Sequence, residues 1–114
     1  MHETSIAGNI IDIINESVNS PDRLKVNQVK LKIGVLSNVN IEALVSAFQL
    51  AVMDSELSNS KLIVETQPVI LECNDCKNIC STEEYIYSCV NCGSNNIEVK
   101  SGDELEISEI ILDR

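Results

Sequence analysis

Two Cys-x-x-Cys pairs, Cys73/Cys76 and Cys89/Cys92, are separated by twelve residues in the second half of this 114-residue chain and account for four of its five cysteines. Each pair can form a tight knuckle whose two thiolates converge on one point. Two knuckles brought together give the four-sulfur tetrahedron that Zn²⁺ prefers. Gly93 follows the second pair directly, at a place where a knuckle calls for positive φ. Two disulfides are the alternative for the same four residues. The start, Met1-His2-Glu3-Thr4, lacks the basic and apolar regions of a secretory leader. A reducing cytoplasm is therefore expected, and there paired thiols hold metal rather than each other. Iron in a rubredoxin-like site is a further way to fill the same knuckles.

Charge narrows the choice of partner. Eight basic residues stand against eighteen acidic ones, a net charge of −10. Residues 71–114 carry three Lys/Arg and ten Asp/Glu, so the imbalance concentrates around the cysteines. Ribbons that bind nucleic acid meet phosphate with Lys and Arg. This one would repel phosphate, which leaves a basic protein surface as the expected partner. No apolar run approaches the roughly 18 residues needed to span a bilayer, so no membrane role is expected.

The remaining sequence divides by periodicity. Ile6, Ala7, Ile10, Ile11, Ile13, Ile14 and Val18 recur at helical spacing over residues 4–18, with Thr4 or Ser5 as a cap and Ser20-Pro21-Asp22 as the stop. Val29, Leu31, Ile33 and Val35 then alternate with Lys30, Lys32 and Gly34, the pattern of a strand with one buried face. Leu44, Ala47, Phe48, Ala51 and Val52 predict a second helix over residues 41–56, with Asn40 as its cap. Residues 61–72 read as another strand carrying Pro68 at an edge or bulge, and a last strand starts at Leu105 and slips register at Ile110-Ile111-Leu112. The economical packing is an α+β fold, two helices on one face of a small three-stranded sheet, with a four-cysteine zinc ribbon inserted before the last strand. Residues 1–70 plus 102–114 would form the α/β domain and residues 71–101 the ribbon.

At the start of the chain, His2 is the single histidine and lies beside the α-amino group of Met1. An incidental imidazole on a frayed terminus is one reading. The other is chemical: amine, backbone nitrogens and imidazole can surround one ion in a plane, which suits Ni²⁺ or Cu²⁺ where Zn²⁺ prefers thiolates. Glu3 would stand near the start of the first helix, where the dipole favours a carboxylate.

Met1-His2-Glu3, Ile33-Gly34-Val35-Leu36-Ser37, Glu42-Ala43-Leu44 with Ala47-Phe48, the two cysteine pairs and Gly102-Asp103-Glu104-Leu105 occur together and in order. In this combination the chain resembles the HypA/HybF family of nickel metallochaperones for [NiFe] hydrogenase maturation, some of which also serve urease. The resemblance implies a nickel-delivery protein and not an enzyme. It implies Ni²⁺ as transferred cargo at Met1, His2 and Glu3, and structural Zn²⁺ at Cys73, Cys76, Cys89 and Cys92. It also implies a maturation GTPase and the hydrogenase large subunit as partners. Cys80 departs from the pattern and reads as a packing residue or, alternatively, a fifth ligand. A zinc-ribbon scaffold that bridges proteins without moving nickel is the competing function.

Overall fold

The computed structural model describes residues 3–113. Helix α1 spans Glu3–Ser17 and α2 spans Ile41–Val52. The strands are β1 (Val26–Gly34), β2 (Lys61–Gln67), β3 (Val69–Cys73), β4 (Ile79–Thr82), β5 (Ile97–Ser101) and β6 (Leu105–Leu112). They form two three-stranded sheets, ordered β2-β1-β6 and β4-β3-β5. The chain falls into two compact units. One runs through Leu31 and continues with Val39–Glu65 and from Glu106 onward; the other comprises Lys32–Asn38 and Thr66–Leu105. No helix among the described residues is long and apolar enough to cross a membrane.

In the first unit the expected helices over an expected sheet are present. The helices bury Ile6, Ala7, Ile10 and Ile14 on α1 and Leu44, Phe48 and Val52 on α2, residues three or four apart that share a face. In β1 the buried residues Val29 and Leu31 flank the partly exposed Lys30, so a single face is apolar. The apolar stripe of α1 is wider than the core needs, and Ile13 stays 46% exposed. Thr4 and Ser5 lie inside the first turn because the helix already starts at Glu3. Its other end is closed by a residue the periodicity did not indicate: Arg23 donates to the carbonyls of Val18 and Asn15, both at 2.8 Å. A guanidinium at a helix C-terminus satisfies orphan carbonyls and complements the dipole.

Strand β1 starts at Val26 and ends at Gly34, where Val29 to Val35 was expected, and two later segments differ more. Helix α2 ends at Val52, and the chain then descends through turns bonded Ser55 N–H to Val52, Ser58 N–H to Ser55 and Ser60 N–H to Leu57. This route sinks Leu57, only 2% exposed, which a continued helix would not. The strand expected over residues 61–72 is two strands in different sheets, parted by Pro68. Proline cannot donate to a ladder and restricts the residue before it. Buried side chains also change parity there, from Leu62 to Val69, Leu71 and Cys73, so one flat strand could not bury both sets.

In the second unit, the end of β1 meets the turn before β6 backbone to backbone. The Gly34 N–H donates to the Glu104 carbonyl at 2.8 Å, and the Leu36 N–H to the Gly102 carbonyl at 2.7 Å. A Cβ on Gly34 would stand 2.0 Å from the Gly102 oxygen, so no side chain fits. Replacing Gly34 by Ala must force these segments apart, and we expect a loss of about 2 kcal/mol or more in urea unfolding. Wild-type stability in Gly34→Ala would show that the close approach is not maintained in solution.

Candidate metal centre

The second sheet is antiparallel on both sides of β3, pairing Glu72 with Ile79 in β4 and with Glu98 in β5. Cys73 is the last residue of β3, so the first knuckle grows directly from a paired strand. The two knuckles share one hydrogen-bond plan. Lys77 N–H donates to Cys73 O and Gly93 N–H to Cys89 O, at 2.8 and 2.9 Å. Cys73 N–H donates to Asn78 O and Cys89 N–H to Ser94 O, at 2.9 and 2.8 Å. Each turn closes through a residue with positive φ, +77° at Gly93 as expected and +65° at Lys77. Lys77 was not legible beforehand because a lysine gives no signal for a left-handed backbone.

Repetition of this turn brings the four sulfurs of Cys73, Cys76, Cys89 and Cys92 to within 4.8 Å of one another. The Cys73–Cys92 and Cys76–Cys89 sulfur pairs are each 3.6 Å apart. These are not bonded distances, since a disulfide spans about 2.05 Å. A tetrahedral zinc with bonds of about 2.3 Å needs sulfur–sulfur edges of about 3.8 Å, so the donor set fits the ion in number, chemistry and spacing. Cys73 and Cys89 are buried, Cys76 is half-buried and Cys92 is exposed, so the leading cysteine of each knuckle anchors the cluster to the interior.

Backbone N–H groups point at the sulfurs. Cys76 N–H donates to Cys73 Sγ at 3.5 Å, and the Asn91 and Cys92 N–H groups donate to Cys89 Sγ at 3.4 Å. The Cys76 thiol is drawn down to about 6, chiefly by the side chain of Asn91 and then by the backbone at Asn78. At Cys92 the backbone of Ser94 favours ionisation. Desolvation and the neighbouring sulfurs of Cys73, Cys76 and Cys89 outweigh it, and the thiol is pushed up to about 12. One sulfur ionises readily while another resists, the behaviour of crowded thiols that a central dication would relieve.

The amino-terminal expectations divide. Met1 and His2 lie outside the described residues. Glu3 opens α1, and its Oε2 accepts the Asn40 N–H at 3.1 Å. Asn40 is the N-cap of α2, its side-chain oxygen accepting the Ala43 N–H at 3.0 Å. Sequence reasoning anticipated the cap but not the contact that ties the start of one helix to the start of the other.

Cys80 lies in β4, opposite Leu71, and lines a small apolar hollow with Leu71, Ile86 and Ile97. It is not one of the four clustered sulfurs. Cys80→Ala should leave metal stoichiometry unchanged by elemental analysis and cost at most about 1–2 kcal/mol of packing. Loss of metal from this variant alone would contradict the four-sulfur assignment.

The site and fold have counterparts among known proteins. The family model described as hydrogenase/urease nickel incorporation, metallochaperone, hypA matches residues 1–112. The hydrogenase maturation factor HypA of Chlorobium luteolum is 33% identical over 113 residues, covering 99% of this chain and 97% of that protein. HypA of Parabacteroides distasonis is 30% identical, covering 98% and 97%. The solution structure of the Ni metallochaperone HypA from Helicobacter pylori superimposes with a TM-score of 0.67 at 25% identity, covering 98% of this chain and 97% of that one. A second HypA solution structure gives 0.71 at 26% identity, covering 98% and 96%. With the match running nearly end to end, the chain belongs to the HypA family of hydrogenase and urease nickel-incorporation metallochaperones.

Proposed function

We propose that this protein carries Ni²⁺ at its amino terminus and delivers it for [NiFe] hydrogenase maturation, with a separate structural Zn²⁺ held by Cys73, Cys76, Cys89 and Cys92. The observation that carries the proposal is the family match over residues 1–112 in a protein whose four clustered sulfurs suit a tetrahedral ion in number and spacing. Four sulfurs saturate a tetrahedral ion, so a second metal must find its donors elsewhere. The chain's one histidine is His2, and nickel favours nitrogen. The α-amino group of Met1, the imidazole of His2 and the backbone nitrogens of His2 and Glu3 make up the proposed ligand set.

The Glu3 carboxylate has a different part in this reading. Its bond to the Asn40 N–H holds the first residue of α1 at the N-terminus of α2. A site built from exchangeable nitrogens on a chain end suits release as well as capture, and release is what a chaperone requires. The maturation GTPase and the hydrogenase large subunit are the proposed partners, and the cytoplasm is the proposed compartment. Zinc is preferred over iron because the family's role is metal incorporation rather than electron transfer; the purified protein should be colourless, where ferric sulfur ligation would be red.

Two substitutions and an extension separate the two metals. Cys76→Ser should lose zinc and disorder the ribbon, whose few apolar residues make too small a core to stand without a staple, while much of the helical circular dichroism persists. His2→Ala and a short extension ahead of Met1 should each abolish tight Ni²⁺ binding in calorimetry with zinc content intact. Binding should also weaken as pH falls through about 6.5, where an unperturbed imidazole protonates and leaves the donor set. Undiminished nickel affinity in the extended protein would overturn the terminal site and leave the zinc-ribbon scaffold as the function.

A further inference from the structure

The two knuckles match in backbone but not in side chains, and the difference falls on the sulfurs. The residue before the second cysteine is Asp75 in the first knuckle and Asn91 in the other. Asn91 reaches across the cluster, and its Nδ2 donates to Cys76 Sγ at 3.5 Å. Among the described residues it is the one side-chain N–H that bonds any of the four sulfurs. The Asp75 side chain has no N–H to offer. Its carboxylate accepts instead from Ser94 Oγ, and from Asn96 Nδ2 at 3.5 Å, a second bridge between the knuckles that touches no sulfur. The Asn96 oxygen in turn accepts from Asn74 Nδ2 at 3.2 Å.

We propose that Asn91 is a positioning residue for the metal, a cross-knuckle donor that fixes the Cys76 sulfur and withdraws charge from it. An amide N–H directed at a metal thiolate sets the direction of its lone pairs and lowers its electron donation, the part that outer-shell partners take at other metal sites. The donor comes from the opposite knuckle, so breaking the contact affects a ligand that Asn91's own backbone does not hold. The Asp75–Ser94 bridge joins the same knuckles without a sulfur contact and therefore serves as an internal control. This inference rests on the proposed zinc site.

The test uses the full chain with Asn91→Leu, which keeps bulk but loses the donor, Asn91→Ala, and Ser94→Ala as the control. Zinc content is measured first, and one zinc per chain is expected in all four proteins. A wild type without zinc would overturn the metal reading itself, and this inference with it. The rate of zinc transfer to a chromophoric chelator should rise about tenfold in both Asn91 variants, the lower end of the usual outer-shell effect. In Co²⁺-substituted protein the sulfur-to-metal charge-transfer band should move to lower energy, because a sulfur freed of its donor gives up charge more easily. Ser94→Ala should leave that band in place. Wild-type transfer rates and spectra in the Asn91 variants would overturn the proposal while leaving the zinc site intact. Faster transfer with no spectral shift, matched by Ser94→Ala, would overturn it too, by showing that Asn91 braces the knuckles without acting on the sulfur.

Discussion

Convergence of four thiols on a point is the constraint around which the second unit is organised. Four sulfurs within 4.8 Å of one another carry prohibitive repulsion once ionised, and a dication at their centre turns that repulsion into attraction. Beyond the buried Ile33, Val69 and Leu71, little apolar packing is available to hold this region. Ile79, Tyr87 and Val90 are well exposed, and the aromatic contribution is an edge-on contact between the Tyr85 and Tyr87 rings. The sheet β4-β3-β5 contributes a ladder, and Lys100 bridges Glu72 and Glu98 across it, at 3.3 and 2.8 Å. That pairing lowers the Glu98 pKa and raises that of Lys100, but exposed ion pairs contribute little to stability. A metal held by the four sulfurs would therefore be the dominant staple.

Different forces shape the first unit. Aliphatic side chains at helical and alternating spacing bury one face of each element, and Phe48 is the one aromatic among the fully buried residues. Arg23 closes the end of α1, and its 3.6 Å pairing with Glu56 joins that closure to the turns after α2. Glu3 and Asn40 join the beginnings of the two helices. Glu3, the one described residue of the motif at the start of the chain, is thereby tied to α2 by its carboxylate, while Gly34 and Gly102 account for two further motifs by backbone contact.

Elements were legible in the sequence where one periodicity held. The cysteine spacing announced the cluster, the three- and four-residue apolar recurrence announced both helices, and Gly93 announced the second knuckle's positive φ. Legibility failed where the signal was a contact between distant residues. Nothing local in Arg23 marks it as a cap for carbonyls five and eight residues earlier, and nothing in Asn91 marks its reach to Cys76. The passage of the chain between sheets at Pro68 was written in the parity of Leu62 against Val69, a signal that emerges only when burial is known. Lys77 takes a backbone conformation that its residue type argues against, because the knuckle's closure dictates it.

Two metals at two chemically distinct sites is the central claim of this account, and counting both in one sample tests it most directly. Native mass spectrometry of the full chain, purified without a tag ahead of Met1 and titrated with Ni²⁺, should show one zinc retained and one nickel added. Nickel appearing only as zinc leaves, for a constant total of one metal per chain, would contradict it.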